Sequence, residues 1–541
     1  MDAIGLIRDC ATLPLRTTVF GVKATAAVAA TSVDLVTTPI RQAANVPSAV
    51  ETAVRVALEN LGGSQVRRCY SCSDRAWIEV CGLRDTPGSE LGDAVLAAVR
   101  AHPGVTSAHL NYPLSRVLVR FGSTGPTCTQ LCESIDAAEA FVRARGVAVS
   151  ASRSPNLPGD DGVLAARLLS AGITAAGLWG AAVGRTLGLP RLPLVVGASV
   201  SVAKYQPRLR GLLEDELGKA RANRTLDAAT FVSRTIGQVP GSLAVGLVSR
   251  LARVAETRAT QCAWEHYEPL LAQFAECADV CPFPEQVDAR GPVERHVDRS
   301  ALAQAIGAAA VGALSGNPDA AARAALIAIP KAAYTTRELF AATLGRGLAD
   351  DRAALTLRPD IWRRLERIDA VVIDPRVTAP LIVAEARRSG AEVMSVDGDD
   401  ASIDDSLADA VAGLHESGQT AAVVTTAGAK ACAAADIAIG LIGDECPVPW
   451  YADVLVNDLT TVWRILHAVQ AARTASQYGV AIANAASALG ALVMIPGIAG
   501  RGHGPGPVTL GAALGQWTGY RLACRALQAT PSLDELVQTS S

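Results

Sequence analysis

In the segment RIDAVVIDPRVTAP, residues 367–380, the run from Ala370 to Asp374 reads as a buried strand that ends on an aspartate. Parallel α/β sheets place their chemistry at the carboxyl ends of strands, and a carboxylate there can act as a nucleophile toward phosphate. Such chemistry also needs a cation and hydroxyl groups close by, whereas the next residues are Pro375 and Arg376. Two sets of soft ligands accompany it. Cys69 and Cys72 form a C-x-x-C. Cys262, His266, Cys277 and Cys281 lie within CAWEHYEPLLAQFAECADVC, where Cys262 with His266, and Cys277 with Cys281, share helical faces. Either set has the donors of a soft-metal site, but the plainer reading is preferred for both: incidental thiols at Cys69 and Cys72, and thiols packed without a metal over 262–281. Asp397, Asp399, Asp400, Asp404 and Asp405 cluster at the end of a later strand, as a weak divalent-cation site or as a solvated loop and helix N-terminus.

The elements that must position these groups belong to a long, apolar chain. Its 541 residues suffice for several domains. Half are hydrophobic, 19% are charged and the mean hydropathy is +0.26, with Ala, Val, Leu and Gly supplying the apolar content. A net charge of −3 with scattered Lys and Arg offers no surface for nucleic acid. Twelve cysteines in so long a chain do not form a disulfide framework and read as reduced, intracellular thiols. The start, MDAIGLIRDCATLPLR, lacks the pattern of a secretory signal.

Periodicity divides the chain. Residues 1–73 form a leader, amphipathic or loosely ordered. Between 74 and 150, AWIEVCGL alternates like a strand, SELGDAVLAAVRAHPGV is helical, SAHLNYPLSRVLVRF gives two strands and CTQLCESIDAAEAFVRARG a second helix. That order, β-α-β-β-α, predicts a ferredoxin-like module. Apolar stretches over 163–203, 226–255, 301–334 and 480–524 predict four membrane hairpins, and the basic loop from Lys204 to Arg224 places its side in the cytoplasm. Between 335 and 480, strands AVVID, AEVMSVDG, TAAVVTT, IAIGLIG and DVLVND alternate with helical segments, the pattern of a parallel, doubly wound sheet.

The 74–150 module resembles the heavy-metal-associated domain at the front of metal-transporting ATPases. That family places a C-x-x-C in the loop after the first strand, where this chain has GLRDTPG, without a cysteine. From about 163 to 527 the chain resembles a P-type cation-transporting ATPase. The resemblance rests on GPVERHVDRSALAQ, on IPKAAYTTRELFAATLGRGLADD running on to RIDAVVIDPRVT, on SLADAVAGLHESGQTAAVVTTAGAKACAAADIAIGLIG, and on ADVLVNDLTTVWRILHAVQAARTASQYGV before the last apolar pair, all in family order.

Each chemical motif of that family is altered. The phosphorylation sequence Asp-Lys-Thr-Gly-Thr becomes Asp374, Pro375, Arg376, Val377 and Thr378. Proline removes a backbone donor beside the aspartate, and the arginine fork does not replace a lysine. The Thr-Gly-Asp segment falls on VDGDD, which leaves Gly398 and Asp399 as vestigial cofactor-binding positions. The magnesium-holding Asp-Gly-x-Asn-Asp falls on Val424 to Gly428, without either carboxylate. Only 23 residues separate Asp374 from Asp397, where the family inserts a whole nucleotide-binding domain. The actuator region shrinks to 256–297 and has no Thr-Gly-Glu. In the transport helix, where metal pumps carry Cys-Pro-Cys, this chain has Ile329, Pro330 and Lys331, so the proline alone keeps its place on the path.

The expected fold class is therefore α/β plus membrane helices. It combines the ferredoxin-like module, membrane helices 1–4 over 151–255, a vestigial actuator over 256–297, membrane helices 5–6 over 298–334, a HAD-like, Rossmann-like domain over 335–479 without its nucleotide insert, membrane helices 7–8 over 480–527 and a tail over 528–541. The resemblance implies a multi-pass protein of the cell membrane, with Asp374 a vestigial phosphorylation aspartate. It would act as a scaffold or regulatory half for cation transport, with the lipid bilayer and a complete P-type ATPase as partners. The alternatives are an active cation pump, which alone would use Mg²⁺ and ATP, and a metal-binding membrane module.

Overall fold

The computed structural model describes residues 67–84, 90–146, 156–160, 162–277, 281, 291–358, 360–377, 379–396, 402–443, 448–494 and 506–531. The amino-terminal module contains β1 (Cys69–Ser71), β2 (Arg75–Glu79), α1 (Glu90–Arg100), β3 (Val105–Asn111), β4 (Arg116–Phe121) and α2 (Cys128–Ala144). The strands pair antiparallel in the order β1-β2-β4-β3. Period-two alternation sends Ile78, Val117 and Val119 toward Val95, Val99, Leu131 and Ile135 of the two helices. It sends Trp77 and Leu118 to the opposite face. Strand β1 is an addition to the expected β-α-β-β-α. Its three residues, Cys-Tyr-Ser, are too few to show a period, and a tight hairpin in which Cys72 N donates to Arg75 O at 2.8 Å folds it onto β2. Thr127 and Gln130 close a capping box that fixes where α2 begins.

The helical part opens with α3 (Val163–Thr186), α4 (Leu194–Tyr205), α5 (Pro207–Leu217), α6 (Lys219–Ile236) and α7 (Pro240–Leu271). It continues with α8 (Pro292–Ser315), α9 (Pro318–Ile327) and α10 (Lys331–Asp350). Among the described residues one helix, Val163–Thr186, is long and apolar enough to cross a membrane, while Leu194–Tyr205 and Ala305–Ser315 are shorter apolar stretches. Trp179, Leu187, Leu314, Leu489, Leu510 and Trp517 are exposed along these helices and the two carboxyl-terminal ones. Helix α7 runs unbroken through the boundary at 256, and its last turns carry the buried Ala263, Trp264, Tyr267 and Leu271.

The second sheet contains β5 (Ala354–Thr356), β6 (Ala370–Ile373), β7 (Glu392–Ser395), β8 (Ala421–Thr425), β9 (Ile437–Leu441) and β10 (Val454–Val456). Its helices are α11 (Ile361–Arg364), α12 (Pro380–Arg388), α13 (Ile403–Glu416), α14 (Ala429–Ala434) and α15 (Leu459–Val493), and α16 (Gly506–Gln528) ends the described chain. The order is β5-β10-β9-β8-β6-β7, with β6 to β10 parallel and β5 added antiparallel at one edge. The parallel strands are apolar runs buried on both faces, apart from the edge strand β7, because helices cover the sheet. Strand order reverses between β6 and β8, and doubly wound sheets bind ligands at such a switch point. One face packs on Ile465, Leu466 and Val469 of α15 and on Phe340 and Leu344 of α10.

The two units share a core. Tyr70, Trp77, Leu114 and Leu118 of the module meet Trp264 and Tyr267 of α7, with Trp450 and Tyr451 of the sheet domain beyond them. Trp77 and Trp264 meet edge to face with centroids 5.9 Å apart. Glu268 of α7, buried beneath them, accepts from Trp77 Nε1 at 2.9 Å and from Arg75 Nε at 2.8 Å.

Candidate functional site

Asp374 sits at the carboxyl end of β6, directly at the switch point. Its N–H donates to Val424 O of β8 at 3.0 Å, and its side chain is fully buried. The residues after it form a 3-10 turn, Pro375–Val377, which folds Arg376 back over the carboxylate. Oδ1 accepts from Arg376 N at 2.9 Å and Nε at 3.0 Å. Oδ2 accepts from Arg376 Nη2 at 2.8 Å and from Thr425 Oγ1 at 2.6 Å. This is a bidentate fork of the strong, charge-assisted kind. Burial alone would raise the carboxyl, but the hydrogen bonds from Arg376 and Thr425 outweigh it and hold Asp374 below the usual carboxylate range.

The neighbouring positions offer little to a divalent ion. Val424 points into the sheet core, and the single Thr425 hydroxyl, which donates to Asp374 Oδ2, also lies against Ala427 O. Gly428, at φ +138°, starts α14 close to Asp404, since a Cβ there would lie 3.1 Å from Asp404 Oδ1. Asp404 is engaged in capping α14, accepting from Lys430 N at 3.1 Å and Ala431 N at 3.0 Å. Asp405 pairs with Lys430 Nζ. The two carboxylates that the sequence groups with an acidic cluster therefore serve a helix N-terminus and a surface pair. Asp397, Gly398, Asp399 and Asp400 lie outside the described residues. A catalytic Mg²⁺ needs oxygen ligands beside the phosphate acceptor, and the donors that the described residues bring to Asp374, its own carboxylate already bridged by an arginine, do not fit it.

The described residues after Asp374 form the 3-10 turn, α12 and β7. Pro330 is the N-cap of α10, at a full break after α9 rather than a kink in one helix, with Ile329 buried beside it.

The soft ligands are distributed differently from the sequence pairing. Cys69 and Cys72 flank opposite faces of β1: Cys69 packs on the helical side, whereas Cys72 lies 3.4 Å from the Tyr70 hydroxyl on the other. Cys262 is exposed and Cys281 buried, and Cys277 bridges by backbone to Asn111 of β3. Among the described residues, the one group of three or more potential ligands that converges is Cys69, Cys128 and Cys132, within 4.8 Å of one another. The sequence did hold a signal for it, a C-x-x-x-C at the start of a helix, but the third member comes from the unforeseen β1.

Sequence reasoning also missed the ion pairs that join the helices to the sheet. Arg363 of α11 bridges Glu256 of α7 at 2.7 Å and Glu338 of α10 at 2.8 Å. Burial would raise Glu338, yet Arg363 and Arg253 together hold it well below the carboxylate range. Arg337 of α10 similarly joins Glu294 of α8 to Glu366.

The chain matches no protein-family model. It is similar to proteins named probable cation-transporting ATPase I in Mycobacterium tuberculosis and Mycobacterium leprae. To that of M. tuberculosis strain CDC 1551 / Oshkosh it is 29% identical over 319 residues, covering 51% of this chain and 20% of the relative. To that of M. leprae strain TN it is 29% identical over 329 residues, covering 53% of this chain and 20% of the relative. The match thus spans about a fifth of the length of these curated relatives.

Proposed function

Because this chain is related to the P-type cation-transporting ATPases over about half its length, we propose that it is a catalytically silent relative of the pumps. In this reading it is a multi-pass membrane protein acting as scaffold or regulatory half for cation transport. The observation that carries the proposal is the fork of Arg376 on Asp374. A nucleophilic carboxylate needs an unshielded oxygen in line with the phosphorus. Here both oxygens are bridged by one guanidinium, and Thr425 holds the second. The short chain between Asp374 and β7 supports the same reading, since it leaves no nucleotide-binding domain to present ATP.

The test uses membranes incubated with γ-labelled ATP and quenched in acid, comparing wild type with Asp374→Asn. No acid-stable label is expected in either, and no saturable ATP binding at micromolar concentration. A hydroxylamine-sensitive label present in wild type and absent from the variant would show aspartyl-phosphate chemistry and identify a working pump.

Membrane placement supplies a second prediction. The exposed Trp179, Leu187 and Leu314 suit a lipid environment, and the four-hairpin topology puts the sheet domain and the α7 end in the cytoplasm. Cys432 is too buried to report on this, but Cys262 is exposed. In a protein with Cys262 as its one cysteine, an impermeant maleimide should react only after the membrane is opened. Fast labelling of intact cells would reverse the orientation.

A further inference from the structure

The convergence of three thiols in the amino-terminal module is unrelated to the sheet switch point. We propose that Cys69, Cys128 and Cys132 form a three-thiolate site for a soft monovalent cation of the Cu(I) class.

The site is assembled by the fold. Strand β1 runs alongside α2 in the opposite direction, and ion pairs set its position along the helix. Arg67, just before β1, pairs with Asp136 and with Glu139 of α2. It also donates to the backbone oxygen of Glu79. Two residues further along β1, Cys69 comes level with the preceding turns of α2, where Cys128 and Cys132 share one face. The pairing of Cys69 with Ile78 in the sheet and the capping box at Thr127 fix the two supports independently.

The geometry suits three sulfurs about one ion. With metal–sulfur bonds of about 2.3 Å, a planar three-coordinate ion holds its sulfurs about 4 Å apart, and the observed separations within 4.8 Å need only small rotamer adjustments to reach that. Soft thiolate ligands favour Cu(I) and Zn²⁺ over the harder ions. Zn²⁺ asks for a fourth ligand, and among the described residues the converging group contains three. All three cysteines are half-buried, so a cation delivered by another thiol carrier can reach them by ligand exchange. On binding, each thiol yields its proton to solvent while the sulfur lone pair forms the bond to the ion, with no change of oxidation state. Arg67, which precedes β1, brings its positive charge to this stretch of α2, where it is paired with Asp136 and Glu139.

The site differs from the C-x-x-C of the sequence. Cys72 faces the other side of the sheet, toward Tyr70, and cannot join it.

The test is anaerobic titration of the full-length, detergent-solubilised and reduced protein with Cu(I) against a chromophoric chelator, with X-ray absorption of the loaded protein. One tight equivalent with a sulfur-only shell of three ligands is expected. Cys132→Ser and, separately, Cys69→Ser should each weaken binding by about 100-fold or more, while Cys72→Ser leaves it unchanged. Far-ultraviolet circular dichroism of each variant should match wild type, and the retained folding of either serine variant suffices for the comparison. The proposal is overturned if reduced protein takes up no stoichiometric Cu(I), if binding survives in Cys69→Ser with Cys132→Ser, if it needs Cys72, or if Zn²⁺ displaces Cu(I) at equal concentration.

Discussion

Replacing Arg116 by methionine is expected to remove about 3–5 kcal/mol of stability, the usual loss when one partner of a buried ion pair is deleted. Arg116 of β4 and Asp160, just ahead of α3, are both fully inaccessible at their side chains, and Nη2 donates to Oδ2 at 2.7 Å. The same oxygen accepts from Leu157 N at 2.7 Å, which makes Asp160 the knot of a short turn. Burial already raises the Asp160 carboxyl despite the pull of Arg116. Without the arginine it rises further. A carboxyl whose folded pKa exceeds its unfolded value of about 3.9 folds more readily when protonated, so stability is lost as pH rises through the folded pKa. The deficit of Arg116→Met should therefore be larger at pH 8 than at pH 5. Denaturant titrations of the solubilised protein, read by tryptophan fluorescence, measure both. Arg116→Met combined with Asp160→Leu, which removes both charges, should recover most of the loss. A small deficit equal at the two pH values would mean that the pair is not desolvated in solution.

That ion pair holds the module where it docks. The segment 156–160 passes so close to α7 that a Cβ at Gly159 would lie 2.4 Å from the Trp264 ring. Cys277 N donates to Leu110 O and Tyr112 N to Cys277 O, both at 3.1 Å, stitching the end of the α7 region to β3. The module is thus built into the core beside the sheet domain rather than carried free on a tether, and its α2 cysteines face away from that interface.

The parallel sheet was legible because its strands are apolar runs bounded by turns. Ala370–Ile373, Ala421–Thr425, Ile437–Leu441 and Val454–Val456 all lie within segments that the sequence marks. The position of Asp374 at a strand end followed from the same pattern. What periodicity cannot show is partnership across space. Strand β1 is three residues long and β5 another three, below the length at which alternation is visible. Both exist because an adjoining edge offers unpaired backbone groups. The cysteine trio depends on β1 and was hidden with it, so the C-x-x-C spacing drew attention to Cys72 instead of Cys128 and Cys132. Of the 256–297 run read as a vestigial actuator, the part within α7, residues 256–271, has a packing that the sequence does not show. Its buried face is read by Trp77, Tyr70 and Trp450, which are remote in sequence.

Gly519→Val is expected to destabilise the helical part by about 3 kcal/mol, at the upper end of the range for overpacking. Helix α10 lies against α15 and α16 at glycine contacts. A Cβ at Gly519 would sit 2.2 Å from Thr336 O, and one at Gly515 would sit 2.9 Å from Ala332 O. From α15, a Cβ at Gly479 would sit 3.0 Å from Ala333 Cα. These obstacles are backbone atoms, which cannot swing aside as a side-chain tip does, so α16 must move away from α10. Such a shift would open the buried contacts of Ala523 and Ala526 as well. A glycine in a helix interior ordinarily costs about 0.5–1 kcal/mol relative to alanine, and Gly413 on the exposed face of α13 has nothing within 4 Å of its Cβ position. The two sites should therefore respond to alanine with opposite signs. Gly413→Ala raises the melting temperature of the solubilised protein, whereas Gly519→Ala lowers it and Gly519→Val lowers it further. If Gly519→Ala were stabilising, α10 and α16 would not touch through this face, and the ion pairs of Arg337 and Glu338 that α10 presents would need another support.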